Sequence, residues 1–520
     1  MTKLDVSALE KTLRALPQLY RGPGGVAGVV KDGEVILRHA WGFADLDARL
    51  PMAATTRMPI CSISKQFTCA VLLDLVGDPA KLDSEMQKHL PLMESKRPSV
   101  ADLCNNQSGL RDYWALTVLH GAAADGVFRR EDAKTLFSRM RTTHFAPGSR
   151  YSYSNGNFRL LCDLIEDHAG KPLGELYAER IFAPAGMQTA ELMADTANPP
   201  DGIVGYEGNM SVGYFPATNR IYWAGDAGIC ASLDDMLAWE RYIDQTRDDA
   251  DGLYRRLCAP QPFADGTPSK YGFGLAQETF DGKAMSGHGG ALRGSRCRRL
   301  YIPSERLSVV VMFNHQADAH DAAVSLVKAA LGHVEEPVAR GKVDPAWAGH
   351  YIDPETDLLL TVQPGCGSRL QLRFATSPET LTMGEDGIAR SASTTLRLDG
   401  DTLLMERPGE NLRVTATRLS GEARPDIAGR FHSAELDASL ELVSTGGAIY
   451  GAFEGFLGKG AMQPVFPVSE DVWIMPCQRG MDAPAPGDWT IRVKRDGEGK
   501  VIGLRLGCWL ARQIDYESVA

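Results

Sequence analysis

The spacing of apolar residues predicts a helix and a β-hairpin at the start of the chain. In MTKLDVSALEKTLRALPQLY, residues 1–20, apolar side chains recur at the period of a helix. The segment GVAGVVKDGEVILRHAWGFAD predicts two strands joined at Asp32-Gly33, because this dipeptide is typical of tight hairpin turns. We therefore expect a helix followed by two antiparallel strands.

Helices and loops are predicted up to about residue 270, and strands follow. ASLDDMLAWERYID is a clear helix, with Ser232 and Asp235 at the spacing of a capping box. From Tyr271 onward, short runs separated by turns and ending in LSVVVMFNH predict antiparallel strands, and residues 318–332 predict a closing helix. Strands from both ends with helices between them favour one α/β domain whose sheet is built from both ends.

Beyond HVEEPVARGKVDP the pattern changes to short strands and turns, and it repeats. PAWAGHYID at Pro345 and PDIAGRFHS at Pro425 share Pro-x-x-Ala-Gly-x-aromatic with an offset of 80 residues. Two related antiparallel β modules, small barrels or curled sheets, explain the repeat, with chance similarity as the alternative. We predict a multidomain α+β protein with a first domain at 1–333 and β-barrel-like domains at 334–420 and 421–520.

Composition and charge exclude several classes of protein. The chain of 520 residues has a net charge of -11 with both signs interspersed, which argues against a nucleic-acid partner. No run of about 18 apolar residues and no stretch of signal-peptide type occurs, so we expect a soluble cytoplasmic protein without a membrane partner. The ten cysteines form no Cys-x-x-Cys pair and the histidines no zinc pattern, so neither a metal nor a cofactor is expected.

Candidate chemistry begins in the stretch MPICSISKQF. Ser62 and Lys65 are three residues apart, so on a helix they lie on one face, as a nucleophile and its base can. The structural alternative is that Ser62 caps the helix while Lys65 points to water. SLVK, from Ser325 to Lys328, has the same spacing, so the pair indicates chemistry only together with other residues.

Two further elements follow in order. RYSYSNGNF contains Tyr153 and Asn155, and SGHGGALRG places His288 on a strand before Gly289 and Gly290. Each element is common by itself, but the order, spacing and local structure together are improbable by chance.

This combination resembles the penicillin-recognising serine hydrolases, which include D-alanyl carboxypeptidases, β-lactamases and related esterases. The resemblance covers residues 9–331, including NNQSGLRDY, FAPGSRYSYSNGNF, PAGMQTA and AGDAGICASLDDMLAW. It implies a β-lactamase-like first domain with an antiparallel sheet and a helical subdomain. The Tyr-x-Asn form, the His-x-Gly element and the two trailing β modules most resemble the subgroup of aminopeptidases that release amino-terminal D-residues.

The resemblance implies a role for each residue of the motifs. Ser62 is expected to form an acyl-enzyme, with Lys65, Tyr153 or both as its base; the sequence leaves that choice open. Lysine could act as a base only if its pKa falls through burial or a neighbouring group.

The same resemblance implies how the substrate is held. The backbone N–H groups of Ser62 and Ala291 would hold the oxyanion, and Asn155 would bind the substrate amide. Gly289 and Gly290 would let the substrate approach the strand edge closely.

His288 is a departure from most of the family, which has lysine in the third element. A neutral-leaning histidine makes a carboxylate-ended or penicillin-like substrate less favoured. The structural alternative for His288 is a packed strand histidine.

Specificity for a free amino terminus requires an anion on the acyl side of the site. The third domain offers VWIMPCQRGMDAPAPGDW, whose proline-rich loop at about 476–488 could project into another domain at low entropic cost. Asp482 is the candidate ligand for the substrate ammonium, and a solvated loop acid is the alternative.

These inferences predict an aminopeptidase that releases small amino-terminal D-residues, such as D-alanine, from peptides and amides. One alternative is a broad esterase or β-lactamase-like hydrolase, which would not need a free substrate amine. A second alternative is a non-catalytic peptide-binding sensor, which would be labelled without turnover. The expected partner is a small peptide or amide with a free D-residue, and a homodimer is a candidate assembly.

Overall fold

The computed structural model describes residues 4–333, 342–477, 480–482 and 485–519. Its first domain is built around an eight-stranded antiparallel sheet with the order β3-β2-β1-β13-β12-β11-β10-β9. The strands of this domain are β1 Gly24–Lys31, β2 Glu34–Asp45, β3 Leu50–Pro51, β4 Met58–Pro59, β5 Glu191–Leu192, β6 Tyr206–Asn209, β7 Gly213–Pro216, β8 Ile229–Ala231, β9 Tyr271–Gly272, β10 Leu275–Phe280, β11 Lys283–Leu292, β12 Ser295–Ile302 and β13 Leu307–Phe313.

Helices cover the sheet and form a separate helical region. They are α1 Val6–Leu19, α2 Ser64–Val76, α3 Met86–His89, α4 Val100–Cys104, α5 Tyr113–Leu119, α6 Arg130–Arg139, α7 Asn155–Ala169, α8 Leu173–Tyr177, α9 Ala183–Ala185, α10 Leu233–Gln245, α11 Leu253–Leu257 and α12 Ala319–Leu331. Within the described ranges, every helix falls short of the length and apolar character that crossing a bilayer requires.

The prediction that both ends of the domain contribute to one sheet is confirmed. β1 pairs with β13 over seven residues, from Gly25 opposite Phe313 to Lys31 opposite Leu307. The turn between β1 and β2 lies at the predicted dipeptide, where Asp32 has φ 56° and Gly33 has φ 82°. Two successive positive φ values match the twist of a tight hairpin, which explains the aspartate and the glycine there.

The two terminal helices lie together on one side of the sheet. Leu9, Leu13 and Leu16 of α1 recur at helical spacing and are buried in the same apolar cluster as the inner residues of α12. The predicted capping box is also confirmed, because the Ser232 hydroxyl accepts from the Asp235 amide while the Asp235 carboxylate accepts from the Ser232 amide. The capping box fixes the start of α10, and the apolar cluster fixes α1 against α12.

The prediction of two similar β modules is confirmed, because both are eight-stranded antiparallel barrels with sequential strand order. The first closes between β14 and β21, and the second closes through β22–β30 and β23–β24, with β25 added at the edge of β24. The strands are β14 Gly349–Ile352, β15 Leu359–Pro364, β16 Arg369–Arg373, β17 Glu379–Met383, β18 Ala389–Arg390, β19 Thr395–Asp399, β20 Thr402–Arg407, β21 Leu412–Arg418, β22 Gly429–Ser433, β23 Ala438–Thr445, β24 Ala448–Gly455, β25 Gly458–Lys459, β26 Gln463–Ser469, β27 Val472–Met475, β28 Trp489–Arg495, β29 Val501–Cys508 and β30 Ala511–Val519.

The second barrel packs against the helical region of the first domain. Apolar residues inside this barrel, such as Phe453 and Trp489, belong to the same contiguous core cluster as α2, α5 and α7. The interior of the first barrel forms a cluster of its own. The second barrel therefore shares its core with the helical region of the first domain, and its strands β23 and β24 pack against α5. The predicted boundary between residues 333 and 334 borders the segment 334–341, which lies outside the described residues.

Candidate active site

Ser62 lies in a 3₁₀ turn, Cys61–Ile63, that leads directly into α2. Cys61 has φ 49°, a left-handed conformation that is uncommon for a residue with a Cβ, so the backbone turns sharply just before Ser62. The side chain of Ser62 makes no capping bond, because Ile63 is the capping residue of α2 and has none. The capping alternative for Ser62 is therefore wrong. Ser325, by contrast, donates its hydroxyl to Ala322 O in its own helix, at 2.7 Å.

Lys65 is completely buried and does not point to water. Its Nζ lies 2.9 Å from Ser62 Oγ, 2.8 Å from Asn155 Oδ1 and 2.7 Å from the Asp226 carbonyl oxygen. The amide and carbonyl oxygens can only accept hydrogen bonds, so a neutral amine gives its two N–H groups to them. Its lone pair then faces Ser62 Oγ and can accept the hydroxyl proton.

Burial lowers the pKa of Lys65 from the ordinary 10.5 to about 8, because the ammonium loses its hydration. The carboxylates of Asp226, Asp112 and Asp482 oppose this shift by favouring the charged form. A substantial fraction of the amine is therefore neutral near pH 8. The geometry and the lowered pKa together allow Lys65 to act as a base.

Tyr153 lies beside Ser62 in the same cleft. Ser62 favours the charged form of the Tyr153 phenol, and the centroid of the Tyr153 ring lies 5.1 Å from Lys65 Nζ. Burial raises the pKa of Tyr153 well above its ordinary range, because a phenolate would be poorly solvated there. The phenol therefore keeps its proton in the resting site and can donate to Ser62 Oγ while Ser62 donates to Lys65.

Asn155 is held in a single orientation by Asp112. The Asp112 carboxylate accepts from Asn155 N at 2.9 Å and from Asn155 Nδ2 at 3.1 Å. Because the side-chain Nδ2 of Asn155 points at Asp112, the Oδ1 on the other side of the same amide points at Lys65. Burial raises the pKa of Asp112 to about 6, against the bonds from Asn155 and the charge of Lys65, which lower it.

Two acids beside the lysine are absent from the sequence-based site. Asp112 and Asp226 lie in the segments NNQSGLRDY and AGDAGICASLDDMLAW, where they were not singled out. Tyr113 donates its hydroxyl to Asp226 Oδ2 at 2.8 Å. A feature of the sequence could have identified them: each acid stands among apolar or small residues. A carboxylate in such a stretch is expected to be buried, and a buried carboxylate needs polar partners.

His288 lies behind Tyr153, with the two ring centroids 6.1 Å apart. Its Nδ1 lies 2.5 Å from Gly289 O and its Nε2 3.0 Å from the Tyr271 hydroxyl. A carbonyl can only accept, so Nδ1 carries the proton and Nε2 accepts from Tyr271. Burial and the charge of Lys65 lower the pKa of His288 to about 3, so the imidazole is neutral at physiological pH.

Gly290 lets β11 approach the turn that carries Ser62. A Cβ on Gly290 would lie 2.3 Å from Cys297 Sγ, 2.5 Å from Ile60 O and 2.9 Å from Cys61 Cβ. A Cβ on Gly289 would meet its nearest neighbour only at 3.6 Å. The interpretation that both glycines make room for substrate thus needs correction at Gly290, which makes room for the protein itself.

No described strand pairs with one edge of β11 next to this turn. β10 pairs with β11 only as far as Gly287, opposite Ala276, whereas β12 pairs with β11 as far as Leu292. The segment from His288 to Leu292 can therefore offer its outer backbone groups to a ligand, as an added strand would use them.

A cleft of about 490 Å³ opens above Ser62. Seven of the nine residues predicted for the site line this cleft. The other two do not line it but contact residues that do, Lys65 through Ser62 and His288 through Tyr153. The cleft is lined by Ser62, Tyr153, Asn155, Gly289, Gly290, Ala291, Arg296, Cys297, Arg298, Gln316, Ala317, Asp318, Ala319, His320 and Asp482.

Asp482 reaches the cleft from the second barrel. Its carbonyl oxygen accepts from Arg293 N at 3.0 Å, just beyond the end of β11, and the residue is 9% exposed. Its carboxylate favours the charged forms of both Lys65 and Arg296. The predicted loop at about 476–488 lies partly outside the described residues, at 478–479 and 483–484.

One cluster in the described residues has the composition of a metal site. Ligand atoms of Cys162, Asp163 and Glu166 lie within 4.8 Å of one another. Arg130 donates to both carboxylates and Arg159 donates to Asp163 at 2.5 Å, so guanidinium groups already balance these charges. The cluster is best explained as an ion-pair network of α6 and α7.

Family models match nearly the whole chain. A model described as beta-lactamase matches residues 9–333, and one described as D-aminopeptidase, domain B, matches residues 340–517. Two curated relatives named D-aminopeptidase are similar over their full lengths. The Brucella canis protein is 56% identical over 517 residues, covering 99% of this chain, and the Brucella anthropi protein is 57% identical over 519 residues, covering 100%.

Solved structures share the fold at lower identity. The octameric penicillin-binding protein homologue from Pyrococcus abyssi has a TM-score of 0.54 and 18% identity, covering 99% of this chain and 100% of its own. The D-amino acid amidase from Ochrobactrum anthropi SV3, complexed with L-phenylalanine, has a TM-score of 0.51 and 20% identity, covering 63% of this chain and 98% of its own. These two similarities establish the β-lactamase-like fold expected from the sequence.

Proposed function

The chain belongs to the D-aminopeptidase family, and from this premise we propose that it is a serine hydrolase releasing amino-terminal D-residues from peptides and amides. The observation that carries the proposal is the environment of Lys65. Its amine is buried, its N–H groups have two accepting oxygens, and Ser62 Oγ lies 2.9 Å away. This arrangement suits an amine that takes a proton from a serine.

Acylation follows from these contacts. Ser62 Oγ attacks the substrate carbonyl carbon while its proton passes to Lys65 Nζ. The resulting oxyanion binds the backbone N–H groups of Ser62 and Ala291, whose residues both line the cleft. The tetrahedral intermediate then expels the leaving amine, which takes a proton from the lysine and phenol pair, and the Ser62 ester remains.

Deacylation reverses these roles with water in place of the leaving amine. The neutral Lys65 accepts a proton from the water as it attacks the ester carbonyl, and Ser62 Oγ recovers its proton as the D-amino acid leaves. Tyr153, which lines the cleft together with Ser62, supports proton transfer as a donor because its pKa is raised. We assign His288 a supporting role, in which the neutral imidazole packs against Tyr153 and holds Tyr271.

Selection of a free amino terminus is assigned to Asp482. Its residue lines the cleft, and a carboxylate there can bind an ammonium group through a charge-assisted hydrogen bond. Asn155 can bind the substrate amide while keeping Lys65 and Asp112, because its Nδ2 has a second N–H group and its Oδ1 a second lone pair. Small acyl groups such as D-alanyl are favoured in this proposal, because Asp482 lines the cleft and limits the space beside the acyl group.

A panel of matched substrates tests the proposal. D- and L-alanyl amides, N-acetyl-D-alanyl amide and a simple acyl ester are compared by kcat/KM in the wild type and in Ser62→Ala. We expect turnover of the free D-alanyl amide and its loss in Ser62→Ala at unchanged thermal stability. A serine-directed reagent should label the peptide with Ser62; labelling of Ser325 instead would overturn the assignment.

The same panel decides between the alternatives. A broad esterase or β-lactamase-like hydrolase would turn over the N-acetylated amide or the ester as well as the free amide, and the beta-lactamase match at 9–333 keeps this candidate open. A peptide-binding sensor would be labelled at Ser62 without releasing any D-alanine.

Three further proposals concern the whole chain. We keep the division into 1–333, 334–420 and 421–520, which the gap between the two family matches supports at its first boundary. A cytoplasmic location is supported by free thiols at all ten cysteines, as a reducing compartment favours. A homodimer is proposed as the assembly, and light scattering of the purified protein tests it.

A further inference from the structure

Both barrels bind the first domain through backbone atoms immediately beside the site residues. The first barrel does so at the segment of Tyr153, and the second barrel at Asp112 and at the end of β11. The three bonds are Tyr151 N to Glu410 O at 3.0 Å, Asp112 N to Leu510 O at 2.9 Å and Arg293 N to Asp482 O at 3.0 Å.

The strongest of these junctions surrounds Arg111. This residue is 5% exposed, and its guanidinium donates to Arg512 O at 3.0 Å, Gln513 O at 3.4 Å and Glu435 Oε1 at 2.9 Å, all in the second barrel. It also donates to the backbone and side-chain oxygens of Thr142 in the first domain, at 3.2 and 3.0 Å. A single planar group thus joins the two domains, and each of its three nitrogens donates to at least one fixed acceptor.

The residue after Arg111 is Asp112, which orients Lys65 indirectly, through Asn155. Asp112 holds both donors of Asn155, and Asn155 Oδ1 lies 2.8 Å from Lys65 Nζ. A displacement of the backbone at Arg111 therefore moves Asp112, releases the Asn155 amide and removes one of the two oxygens that orient the amine. Ser62 would then face a lysine whose lone pair is no longer aimed at it.

We propose that Arg111 is a positioning residue for Lys65, so that the second barrel controls the acylation chemistry as well as access to the cleft. The inference rests on the proposed function, because it takes Lys65 as the base. It differs from a purely structural role, in which Arg111 would hold the domains together without influence on the reacting groups.

A double-mutant cycle separates these two roles. Arg111→Gln should lower kcat for D-alanyl amide about 100-fold with little change in KM, because misalignment by about 1 Å has effects of this order. Asp112→Asn places a donor against Asn155 Nδ2 and should lower kcat to a similar extent. If Arg111 acts through Asp112, the double variant is no slower than the slower single variant. Losses that multiply, or an unchanged kcat in Arg111→Gln, would overturn the proposal.

Arg495→Gln is the matched control. Its side chain is 8% exposed, close to the 6% of Arg111, but it bonds Asp426 and Asp471 within the second barrel. This variant should lose thermal stability with kcat unchanged, and in the Asp112→Asn background it should add no further loss. A fall in kcat equal to that of Arg111→Gln would show that loosening the barrel is sufficient and would refute a specific role of Arg111.

Milder variants keep the test decisive if Arg111→Gln does not fold. Arg111→Lys retains the charge with fewer donors, and Glu435→Gln weakens the contact from the barrel side; each then replaces Arg111→Gln in the cycle with the same expected non-additivity. Lys65→Ala serves to separate the two proposals. If Lys65→Ala keeps turnover, the proposed function fails; if it is inactive while the folded Arg111 variants retain wild-type kcat, only the present inference fails.

Discussion

The lowered pKa of Lys65 predicts the pH dependence of acylation. Its folded-state pKa of about 8 lies below the ordinary 10.5, so the active neutral amine is gained as pH rises and lost as pH falls through about 8. About a tenth of the amine is neutral at pH 7 and about nine tenths at pH 9. We therefore expect kcat/KM to rise with pH up to about 8 as Lys65 loses its proton, and to fall at higher pH, because the substrate amino group, whose ordinary pKa is about 8, loses the charge that Asp482 is proposed to bind.

Asp226→Asn is the perturbation that tests the origin of this limb. The Asp226 carboxylate is the largest of the charges that favour the ammonium form of Lys65, so its removal should lower the pKa and move the limb to lower pH. The carbonyl that binds Lys65 belongs to the backbone and is retained, and an amide oxygen can still accept from Tyr113. For each unit of displacement, kcat/KM on the acid limb rises about tenfold, while the fall at high pH, which belongs to the substrate amino group, stays at the same pH.

The assay is kcat/KM for D-alanyl amide from pH 5.5 to 10 in buffers of constant ionic strength. Asp235→Asn is the control, because Asp235 bonds Ser232 and Thr189 at the start of α10. Its acid limb should coincide with that of the wild type. An identical limb in wild type and Asp226→Asn, or a rate independent of pH between 6 and 9, would refute the assignment of the limb to Lys65.

Three further predictions follow from the same geometry. Lys65→Ala and Tyr153→Phe should each slow acylation by about 10² to 10⁴, and the double variant should lose much less than the product in single-turnover kinetics; fully multiplicative losses would contradict a shared role. Gly290→Ala should lower Tm sharply, because its Cβ would meet backbone at 2.5 Å, whereas Gly289→Ala should leave Tm nearly unchanged. Asp482→Asn should raise KM for D-alanyl amide and lower the ratio of kcat/KM for the free amide to that for the N-acetyl amide, and an unchanged ratio would argue against an ammonium site.

Features fixed by neighbouring residues could be predicted from the sequence. The hairpin at Asp32-Gly33 and the cap at Ser232 depend on a few consecutive residues, and the structure has both where they were expected. The repeat at Pro345 and Pro425 predicted similar modules because each barrel begins with the same local signal. The closure of each barrel, by contrast, depends on pairing between distant strands.

Only those residues of the site that belong to recognisable sequence motifs could be predicted. Ser62 and Lys65 are close in sequence, so helical geometry already places them together. Asp112 and Asp226 act through burial next to Lys65, and burial is a property of the assembled fold. The steric need for glycine at position 290 could not be predicted either, because the atoms that exclude a side chain there belong to β12 and to the turn before Ser62.

A lysine that serves as a base needs two conditions that oppose each other. It must be dry enough to lose its proton near neutral pH, yet its N–H groups must keep partners, because an unpaired buried donor is costly. α2 provides the first condition, since eleven of its thirteen residues are buried and it carries Lys65 in its first turn. Asn155 Oδ1 and the Asp226 carbonyl oxygen provide the second condition, because these uncharged acceptors can bind either form of the amine. The carboxylates of Asp112 and Asp226 limit how far the pKa of Lys65 falls. Because Asp112 N donates to Leu510 O, one of the carboxylates that act on the pKa of Lys65 is held at a contact between the first domain and the second barrel.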